Sequence, residues 1–277
     1  MIFHSSFENI YLWLPLIGFL VGLISTLIGG GGGGFFFIPV LIFIFGIPAH
    51  VAITTSLAAT LPICLVGSIA CYRNGHVDLR LGLLMSAGGI LGALAGAGFI
   101  SLISQQQLII MYGFYSVLLS VIMLRGIWQE KRNKTNGVDN NTDTKLMTAT
   151  KGTLYGFLAG VITASSGTTG ATPVQAGLFA MRKPVKVVIG TSLMVVMANT
   201  ASGLGAHFLV GKIDLTLIYF LTSGTILGAL LGPKVIKEAR LEHVDGPIRF
   251  WYAISLIVFG IAMIISAFTI ASSINIL

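Results

Sequence analysis

Long apolar stretches alternate with short polar ones along the whole chain, and this pattern predicts ten helical segments. A helix needs about 20 apolar residues to span a bilayer. The predicted segments lie near 11–28, 35–45, 51–72, 80–103, 108–128, 152–164, 173–181, 187–210, 215–235 and 249–272. Four of them are short for a full crossing, namely 11–28, 35–45, 152–164 and 173–181. Residues 129–151 are the one long hydrophilic stretch and predict a flexible linker.

The charged residues are few and lie in the polar stretches. Of 277 residues, 55% are hydrophobic and 9% are charged, whereas a soluble domain carries about 25% charged residues. Six blocks contain no Asp, Glu, Lys or Arg: 9–72, 81–124, 152–181, 187–211, 215–233 and 250–277. A lipid bilayer restricts charged residues to the loops in this way, because a charge at the bilayer centre is unfavourable by several kcal/mol. The sequence therefore predicts an all-α polytopic membrane protein with about ten transmembrane segments, some of them broken.

The formal charge of +7 does not indicate a nucleic-acid-binding protein. The basic residues lie in short loops, where membrane topology and anionic lipid headgroups explain them. Cys64 and Cys71 share one apolar segment and lack the spacing of metal ligands. We expect no nucleic-acid partner, no metal and no cofactor. Residues 1–10 lack the positive region of a signal peptide, so we expect the first segment to stay in the membrane.

The two halves of the chain repeat each other. Residues 75–96 align with residues 211–232 at an offset of 136, with 11 of 22 positions identical. Shorter matches support the alignment: Pro48 with Pro184, Thr55–Leu57 with Thr191–Leu193 and, at an offset of 138, GFLVG at 18–22 with GFLAG at 156–160. Internal duplication is typical of secondary transporters. We predict a first membrane repeat over 1–128, a linker over 129–151 and a second repeat over 152–277.

Each half holds five segments, and an odd number places the two copies in opposite orientations. The positions of Lys and Arg support this arrangement. With both termini outside, the loops at 72–80, 125–151, 182–186 and 234–249 lie inside and carry 15 of the 16 basic residues. Lys212 is the remaining one. We predict two inverted repeats in the cell (inner) membrane, with the linker in the cytoplasm.

The first candidate site is Gly29–Gly34, six consecutive glycines between two short apolar segments. Glycine opposes helix continuation, and a break at membrane depth is tolerated where it lines a cavity or is buried in protein. A broken helix whose N-terminus points into a cavity presents N–H groups and positive charge to an anion. We predict substrate contacts at Gly30, Gly31, Gly32, Gly33 and Gly34. Close helix packing is the alternative, and a nucleotide-binding loop is disfavoured because no Lys follows.

The equivalent break in the second half is SSGTTGATP at 165–173, where hydroxyls replace several glycines. Neutral donors in a dry site can hold an oxyanion without a buried cation. The alternatives are hydrogen bonds within one helix or between helices. Together with short Thr-Ser motifs one helix further on, these hydroxyls complete the predicted substrate-binding set: Thr54, Thr55, Ser56, Ser165, Ser166, Gly167, Thr168, Thr169, Gly170, Thr191, Ser192 and Asn199.

Three titratable side chains border these segments. His207 titrates nearest neutral pH and is a candidate proton carrier, although a local hydrogen bond is the favoured interpretation. Asp78 and Asp214 are matched residues that could form a proton relay. Each immediately precedes an apolar helix, so we favour capping of the helix N-terminus.

The order of these motifs resembles that of the sulfite exporter TauE/SafE family. The first half reads GFLVGLISTLIGGGGGGFFFIPVLIFIFGIPAHVAITTSLAAT, followed by RNGHVDLRLGLLMSAGGILGALAG. The resemblance covers nearly the whole chain except the linker, and it implies a permease for sulfite, thiosulfate or sulfonates. It places the glycine loop of the family on Gly29–Gly34 and its Thr-Ser motif on Thr54–Ser56 and Gly190–Ser192. The second half departs from the pattern, because SSGTTGATP replaces the more usual glycine run.

The sequence thus predicts a secondary transporter, not an enzyme, that holds a small sulfur-containing anion at paired broken helices near the bilayer midplane. Its expected partners are that anion, the lipid bilayer and protons as coupling ion, while the oligomeric state is left open. Because the six uncharged blocks hold no Lys or Arg, dipoles and neutral donors would bind the anion. An anion channel or a transporter of another small anion is the alternative. An intramembrane serine hydrolase with Ser166 and His207 is less favoured, since GxSxG and HExxH motifs are missing.

Overall fold

The computed structural model describes residues 2–3, 9–27, 33–100, 103–133, 145–181, 183–210, 213–238 and 241–274. The helices are α1 (Leu14–Leu27), α2 (Gly33–Phe43), α3 (Ala49–Arg73), α4 (Leu79–Ile100), α5 (Gln105–Asn133), α6 (Lys145–Ser166), α7 (Ala171–Ala180), α8 (Val185–Val210), α9 (Leu215–Glu238) and α10 (Leu241–Ile274). A 3-10 helix covers Asn9–Trp13, and β1 (Ile2–Phe3) pairs in parallel with β2 (Ile213–Asp214). The all-α prediction is confirmed, and each predicted segment corresponds to one helix.

Helices dominate because an apolar segment in lipid must satisfy its own backbone hydrogen bonds. Three of the described helices are long and apolar enough to cross a membrane: Ala49–Arg73, Leu79–Gly98 and Lys186–Phe208. Shorter apolar helices accompany them. Large apolar side chains are exposed on the outer faces, with Leu91 at 63% and Trp251 at 69%. A surface of this kind suits contact with lipid.

The hydrophilic stretch 129–151 is helical at both ends. Helix α5 continues to Asn133 and α6 begins at Lys145, while residues 134–144 lie outside the described residues. The chain divides into two compact units, of which the first contains Met1–Ile103 and Lys145–Glu238. The second contains Ser104–Thr144 and Ala239–Leu277. Each unit therefore takes helices from both predicted repeats.

The second unit is an antiparallel pair formed by α5 and α10. The amide of Gln106, near the start of α5, donates a 3.3 Å hydrogen bond to the carbonyl of Ala267, near the end of α10. Further along, a Cβ at Gly113 would lie only 2.7 Å from the carbonyl oxygen of Gly260. Glycine thus lets the two backbones approach closely, as is common between membrane helices.

In the first unit, α1 and α2 form an antiparallel helical hairpin. At its open end the rings of Tyr11 and Phe45 are 6.2 Å apart. At its closed end the N–H of Gly33 donates a 3.0 Å hydrogen bond to the hydroxyl of Ser25. The broken helix predicted at the glycine run is therefore present, and the chain turns back there. Residues Gly29–Gly32 lie outside the described residues.

Helices α6 and α7 form a second antiparallel hairpin. Gly177 packs against the ring of Tyr155 towards its open end, and Gly170 packs against the hydroxyl of Thr163 at its closed end. Gly167 and Gly170 have φ angles of 67° and 54°. Because only glycine adopts such angles without strain, these two residues allow the chain to reverse between the helices.

Each hairpin packs against a glycine-rich helix from the other half of the chain. Gly18 of α1 lies against the carbonyl of Leu221 on α9, and the equivalent Gly156 of α6 lies against the carbonyl of Met85 on α4. Residue numbers increase together in both pairs, so each pair of helices runs parallel. Three further contacts between α1 and α9 have repeat-equivalent contacts between α6 and α4. They are Gly22–Thr225 with Gly160–Gly89, Gly224–Pro15 with Gly88–Thr153, and Gly228–Phe19 with Gly92–Phe157.

Helix directions in the first unit follow from these contacts. Helix α2 reverses the direction of α1, and α3 reverses that of α2, because Gly33 at the start of α2 lies beside Thr60 and Ile63 of α3. Helix α3 packs antiparallel on α8, whereas α4 packs parallel on it. Since α6 runs parallel to α4, the equivalent helices α1 and α6 run in opposite directions. These directions support the inverted repeat, and the orientation across the membrane stays a prediction.

Candidate functional site

The closed ends of the two hairpins meet in the first unit, against α3. A Cβ at Gly34 would lie 2.8 Å from the carbonyl oxygen of Gly167, so the two backbones are in direct contact. The hydroxyl of Ser56 on α3 donates a 3.0 Å hydrogen bond to that Gly167 oxygen and lies 3.5 Å from the carbonyl oxygen of Gly34. One hydroxyl thus joins both breaks that the sequence predicted as binding elements.

The meeting point of the hairpins, termed the hairpin junction, is polar and buried. Six hydroxyl side chains at or beside it are at most 4% exposed: Ser25, Ser56, Thr60, Ser166, Thr168 and Thr169. A hydroxyl can both donate and accept a hydrogen bond. The junction is therefore polar without placing a positive side chain in an apolar environment.

Several predicted hydroxyls bond to the main chain of their own helix. Thr54 donates to the carbonyl of Val51 at 2.9 Å, and Ser165 donates to that of Ile162 at 3.4 Å. Ser166 also donates to Ile162, at 2.6 Å, and its oxygen lies 2.7 Å from the hydroxyl of Thr168. Hydrogen bonds within one helix, an alternative named from the sequence, thus account for part of the predicted set. Ser166 and Thr168 also bond to each other in the turn between α6 and α7.

Sequence reasoning missed Ser25, whose hydroxyl accepts the first N–H of α2. The repeat contains a signal for it, because the offset of 138 that relates Gly18 to Gly156 maps Ser25 onto Thr163. Thr163 lies against Gly170 at the start of α7. A polar side chain near the end of the first helix therefore faces the start of the second helix in both hairpins.

The Thr-Ser motif of the second half makes different contacts. Thr191 accepts a 2.9 Å hydrogen bond from the N–H of Asp78, in the turn between α3 and α4. Ser192 donates to the carbonyl of Ile189 at 2.9 Å. Of the predicted glycines, Gly33 and Gly34 lie at the junction, and Gly30, Gly31 and Gly32 lie outside the described residues.

Asn199 of α8 is fully buried, and neither atom of its amide group has a hydrogen-bond partner within the described part of the chain. Its side chain lies against Gly89 of α4, and the carbonyl of Gly89 lies against Gly160 of α6. The hydroxyls of Thr55 and Thr200 are likewise buried and unpartnered there. Leaving a buried polar group unpaired is unfavourable by about 1–3 kcal/mol, so these groups call for a further partner.

His207 makes a hydrogen bond between two helices. Its Nε2 atom lies 2.9 Å from the carbonyl oxygen of Ala164, near the end of α6, and the residue is 4% exposed. The sequence favoured a local hydrogen bond, whereas this contact joins α8 to α6 across 43 positions of the chain. The role of His207 as a proton carrier stays a prediction.

Asp78 and Asp214 cap their helices, and the capping prediction is confirmed. Asp78 accepts from the N–H of Leu81 at 3.1 Å, and Asp214 accepts from that of Thr216 at 3.0 Å. The other oxygen of Asp78 forms an ion pair with Lys183 at 2.8 Å, which sequence reasoning missed. Partial burial raises the pKa of Asp78, but the hydrogen bonds and the charge of Lys183 outweigh it and hold this pKa below its ordinary value.

In the described residues, no cluster of three or more His, Cys, Asp and Glu side chains is placed to hold a metal ion. An all-α chain with two broken-helix hairpins that meet tip to tip among apolar helices has the architecture of a membrane transporter. The profile described as "Sulfite exporter TauE/SafE" matches residues 14–263. The chain belongs to this family.

Two curated relatives are named as probable membrane transporters. The chain is 32% identical over 237 residues to "Probable membrane transporter protein YdhB" of Bacillus subtilis (strain 168), covering 82% of this chain and 93% of that protein. It is 30% identical over 249 residues to a "Probable membrane transporter protein" of Xylella fastidiosa (strain Temecula1 / ATCC 700964), covering 87% and 91%. No solved structure matches the chain.

Proposed function

We propose that the chain is a secondary transporter that moves a small sulfur-containing anion, such as sulfite, thiosulfate or an organosulfonate, across the cell membrane by alternating access. The description of the family names sulfite. The observation that carries the proposal is the meeting of two broken helices from opposite halves of the chain, joined by Ser56. Secondary transporters with inverted repeats bind their substrates at such a place.

The hairpin junction suits an anion because it places the N-terminus of α7 beside neutral hydroxyl groups. Helix α7 begins after Gly170, a capping residue that has no side chain to bond to the helix N-terminus, and the positive end of a helix favours an anion. The hydroxyls of Ser166 and Thr168 lie beside this end. The uncharged blocks contain no Lys or Arg that would hold an anion tightly. Moderate affinity is what a carrier needs in order to release its cargo.

Asn199 supports a binding role for the neighbouring helices. An amide group has two donor hydrogens and an acceptor oxygen, and all of this capacity is unused among the described residues. A buried oxyanion would accept hydrogen bonds from the amide nitrogen. We therefore assign Asn199 to the substrate path, with the helix pair α4–α6 beside it.

The experiment that tests the proposal measures transport in proteoliposomes. The purified chain is reconstituted, and the uptake of labelled sulfite, thiosulfate, taurine, sulfoacetate and sulfate is compared with that of chloride and phosphate. A ligand should also raise the apparent unfolding temperature of the purified protein. Uptake of chloride or phosphate, with no response to any sulfur anion, would reject the proposed substrate class.

The same vesicles separate a carrier from the alternative, an anion channel. A carrier exchanges substrate, so unlabelled anion on the far side should accelerate uptake of the labelled anion, and the rate should saturate. A channel shows no such acceleration. Imposed pH gradients test protons as coupling ion, because a coupled carrier should accumulate the anion when the gradient alone is present.

The proposed location is the cell (inner) membrane, with both termini outside and the linker 129–151 in the cytoplasm. The basic residues of the inside loops support this orientation. Protease digestion of intact spheroplasts tests it, since the linker should be protected until the membrane is permeabilised. Cleavage of the linker in intact spheroplasts would show that the linker lies outside and would contradict the proposed orientation.

A further inference from the structure

The turn between α3 and α4 docks on the start of α8 through three contacts. The N–H of Asp78 donates to the hydroxyl of Thr191 at 2.9 Å. The carboxylate of Asp78 accepts from the ammonium group of Lys183 at 2.8 Å. The carbonyl of His76 lies so close to Gly190 that a Cβ at this glycine would clash with it. Together these contacts, termed the latch, join the first half of the chain to the second.

At the opposite end of the bundle, where β2 lies beside α3, the repeat changes the residues that form the latch. At the offset of 136, Ile47 takes the place of Lys183, so the same ion pair cannot form. Thr55 takes the place of Thr191, and its buried hydroxyl has no hydrogen-bond partner in the part of the chain that the structure describes. Thr54 takes the place of Gly190 and carries a side chain where a close backbone approach would need none.

We propose that the latch holds the cytoplasmic end of the transport path closed and opens once in each transport cycle. This inference rests on the proposed function, and on the predicted orientation for the word cytoplasmic. The difference in residues between the two ends of the bundle carries the inference. An alternating-access protein built from two similar halves needs such a difference to favour one closed state.

The chemistry of the ion pair suits a contact that breaks and reforms. The side chains of Lys183 and Asp78 are 32% and 24% exposed, and partly exposed ion pairs have small net stabilities. An anion that arrives from the cytoplasm would also compete with Asp78 for the ammonium group of Lys183. Substrate on that side would thereby favour opening.

The test is a distance measurement between spin labels, which needs no substrate. Cys64 and Cys71 are replaced by Ala, and single cysteines for labelling are placed at Arg73 and Lys186. Both positions are exposed, Arg73 at the end of α3 and Lys186 at the start of α8. Pulsed dipolar spectroscopy in nanodiscs then gives the distribution of distances between the end of α3 and the start of α8.

We expect one main distance in the protein with an intact latch. Lys183→Gln and Thr191→Val should each raise the ratio of a longer distance to the main one, by roughly fivefold for the lost ion pair, which corresponds to about 1 kcal/mol. Lys183→Arg retains the pair and should resemble the parent. Arg80→Gln makes the same charge change at an exposed position of α4 and is the matched control.

An unchanged distribution in both Lys183→Gln and Thr191→Val would overturn the latch, as would an equal change in Arg80→Gln. If Lys183→Gln fails to yield monodisperse protein, Thr191→Val still decides the question because it removes no charge. The outcome is independent of the substrate. A latch that opens as expected in a protein that transports no sulfur anion would leave the latch standing and reject the proposed substrate.

Discussion

The hydroxyl of Ser56 donates a hydrogen bond to the main-chain oxygen of Gly167, a residue 111 positions further along the chain. The same hydroxyl lies 3.5 Å from the carbonyl oxygen of Gly34. The carbonyl of Gly167 lies in the turn between α6 and α7, outside both helices, whereas Gly34 is the second residue of α2. Ser56 therefore couples the positions of the two hairpins, which are the elements that would separate and approach during transport.

We expect Ser56→Ala to destabilise the protein and to reduce transport. The substitution leaves a buried carbonyl at Gly167 with one partner fewer, at a cost of about 1–3 kcal/mol. Ser202→Ala is the matched control, because the hydroxyl of Ser202 donates to the carbonyl of Ala198 within its own helix, at 2.9 Å. The control should change stability by less than about 0.5 kcal/mol. Apparent unfolding temperature and vesicle uptake measure both effects, and equal losses in the two variants would contradict the role of Ser56.

Gly160→Ala should destabilise the contact between α4 and α6. A Cβ at this position would overlap the carbonyl of Gly89, and overpacking of a tight contact typically costs about 1–3 kcal/mol. Gly205→Ala provides the control, since no atom lies within 4 Å of a Cβ built there. Its stability should stay equal or rise by up to about 1 kcal/mol, because Ala is the better helix former. Unfolding temperatures that fall equally in both variants would count against the packing argument.

The fold could be predicted from the sequence as far as the positions of charges determine it. Blocks without charge mark the helices, and the run Gly29–Gly34 marks a break. Counting 11–28 and 35–45 as separate segments implied that the chain returns after the break, but the sequence did not show which side chains hold that return. Contacts such as Tyr11 with Phe45 determine that it returns. Side-chain packing of this kind leaves no periodic signal in the sequence.

The candidate site was predictable only in part, for a similar reason. Composition identified the hydroxyl-rich break, and one of its neighbours, Ser56, joins it to the other hairpin. The pairing of Lys183 with Asp78 links residues 105 positions apart. Helix capping already accounted for Asp78 and membrane topology for Lys183, so nothing in the sequence required them to meet.

Lowering the pH should remove the contribution of Asp78 to stability. Its folded pKa lies below the ordinary value of 3.8, so the carboxylate stabilises the fold above the unfolded pKa, and this effect is lost as the pH falls through the folded pKa. The gap in unfolding temperature between the parent and Asp78→Asn should therefore be constant near neutral pH and shrink below about pH 4. Lys183 stays protonated throughout this range. A gap that is independent of pH would contradict the assignment.

His207→Gln should retain both stability and the pH dependence of transport. A glutamine amide can donate to the carbonyl of Ala164 in place of the imidazole Nε2–H. His207→Phe cannot donate and should lose about 1–3 kcal/mol of stability, since the buried carbonyl is left unpaired. The measurement is uptake at several pH values, with unfolding temperature as the control for folding. Loss of proton-driven uptake in His207→Gln, in a protein of normal stability, would instead make His207 a proton carrier.

Asn199→Leu separates a binding role from a structural one. The amide group of Asn199 is buried, and no hydrogen-bond partner for it lies within the described ranges. An apolar side chain of similar volume removes the desolvation penalty, so stability should be unchanged or higher. Transport should nevertheless fall strongly, because the substrate loses a donor in its path.

The combination of retained stability and lost transport is specific to a binding residue. Thr200→Val removes a second buried hydroxyl that has no partner in the described chain, and it shows whether any buried polar group on α8 gives the same result. Uptake should be measured at several concentrations, because loss of a ligand contact raises the concentration needed for half-maximal rate. A stable Asn199→Leu protein with normal uptake would remove Asn199 from the site, and a lower unfolding temperature would assign it to the packing of α4, α6 and α8.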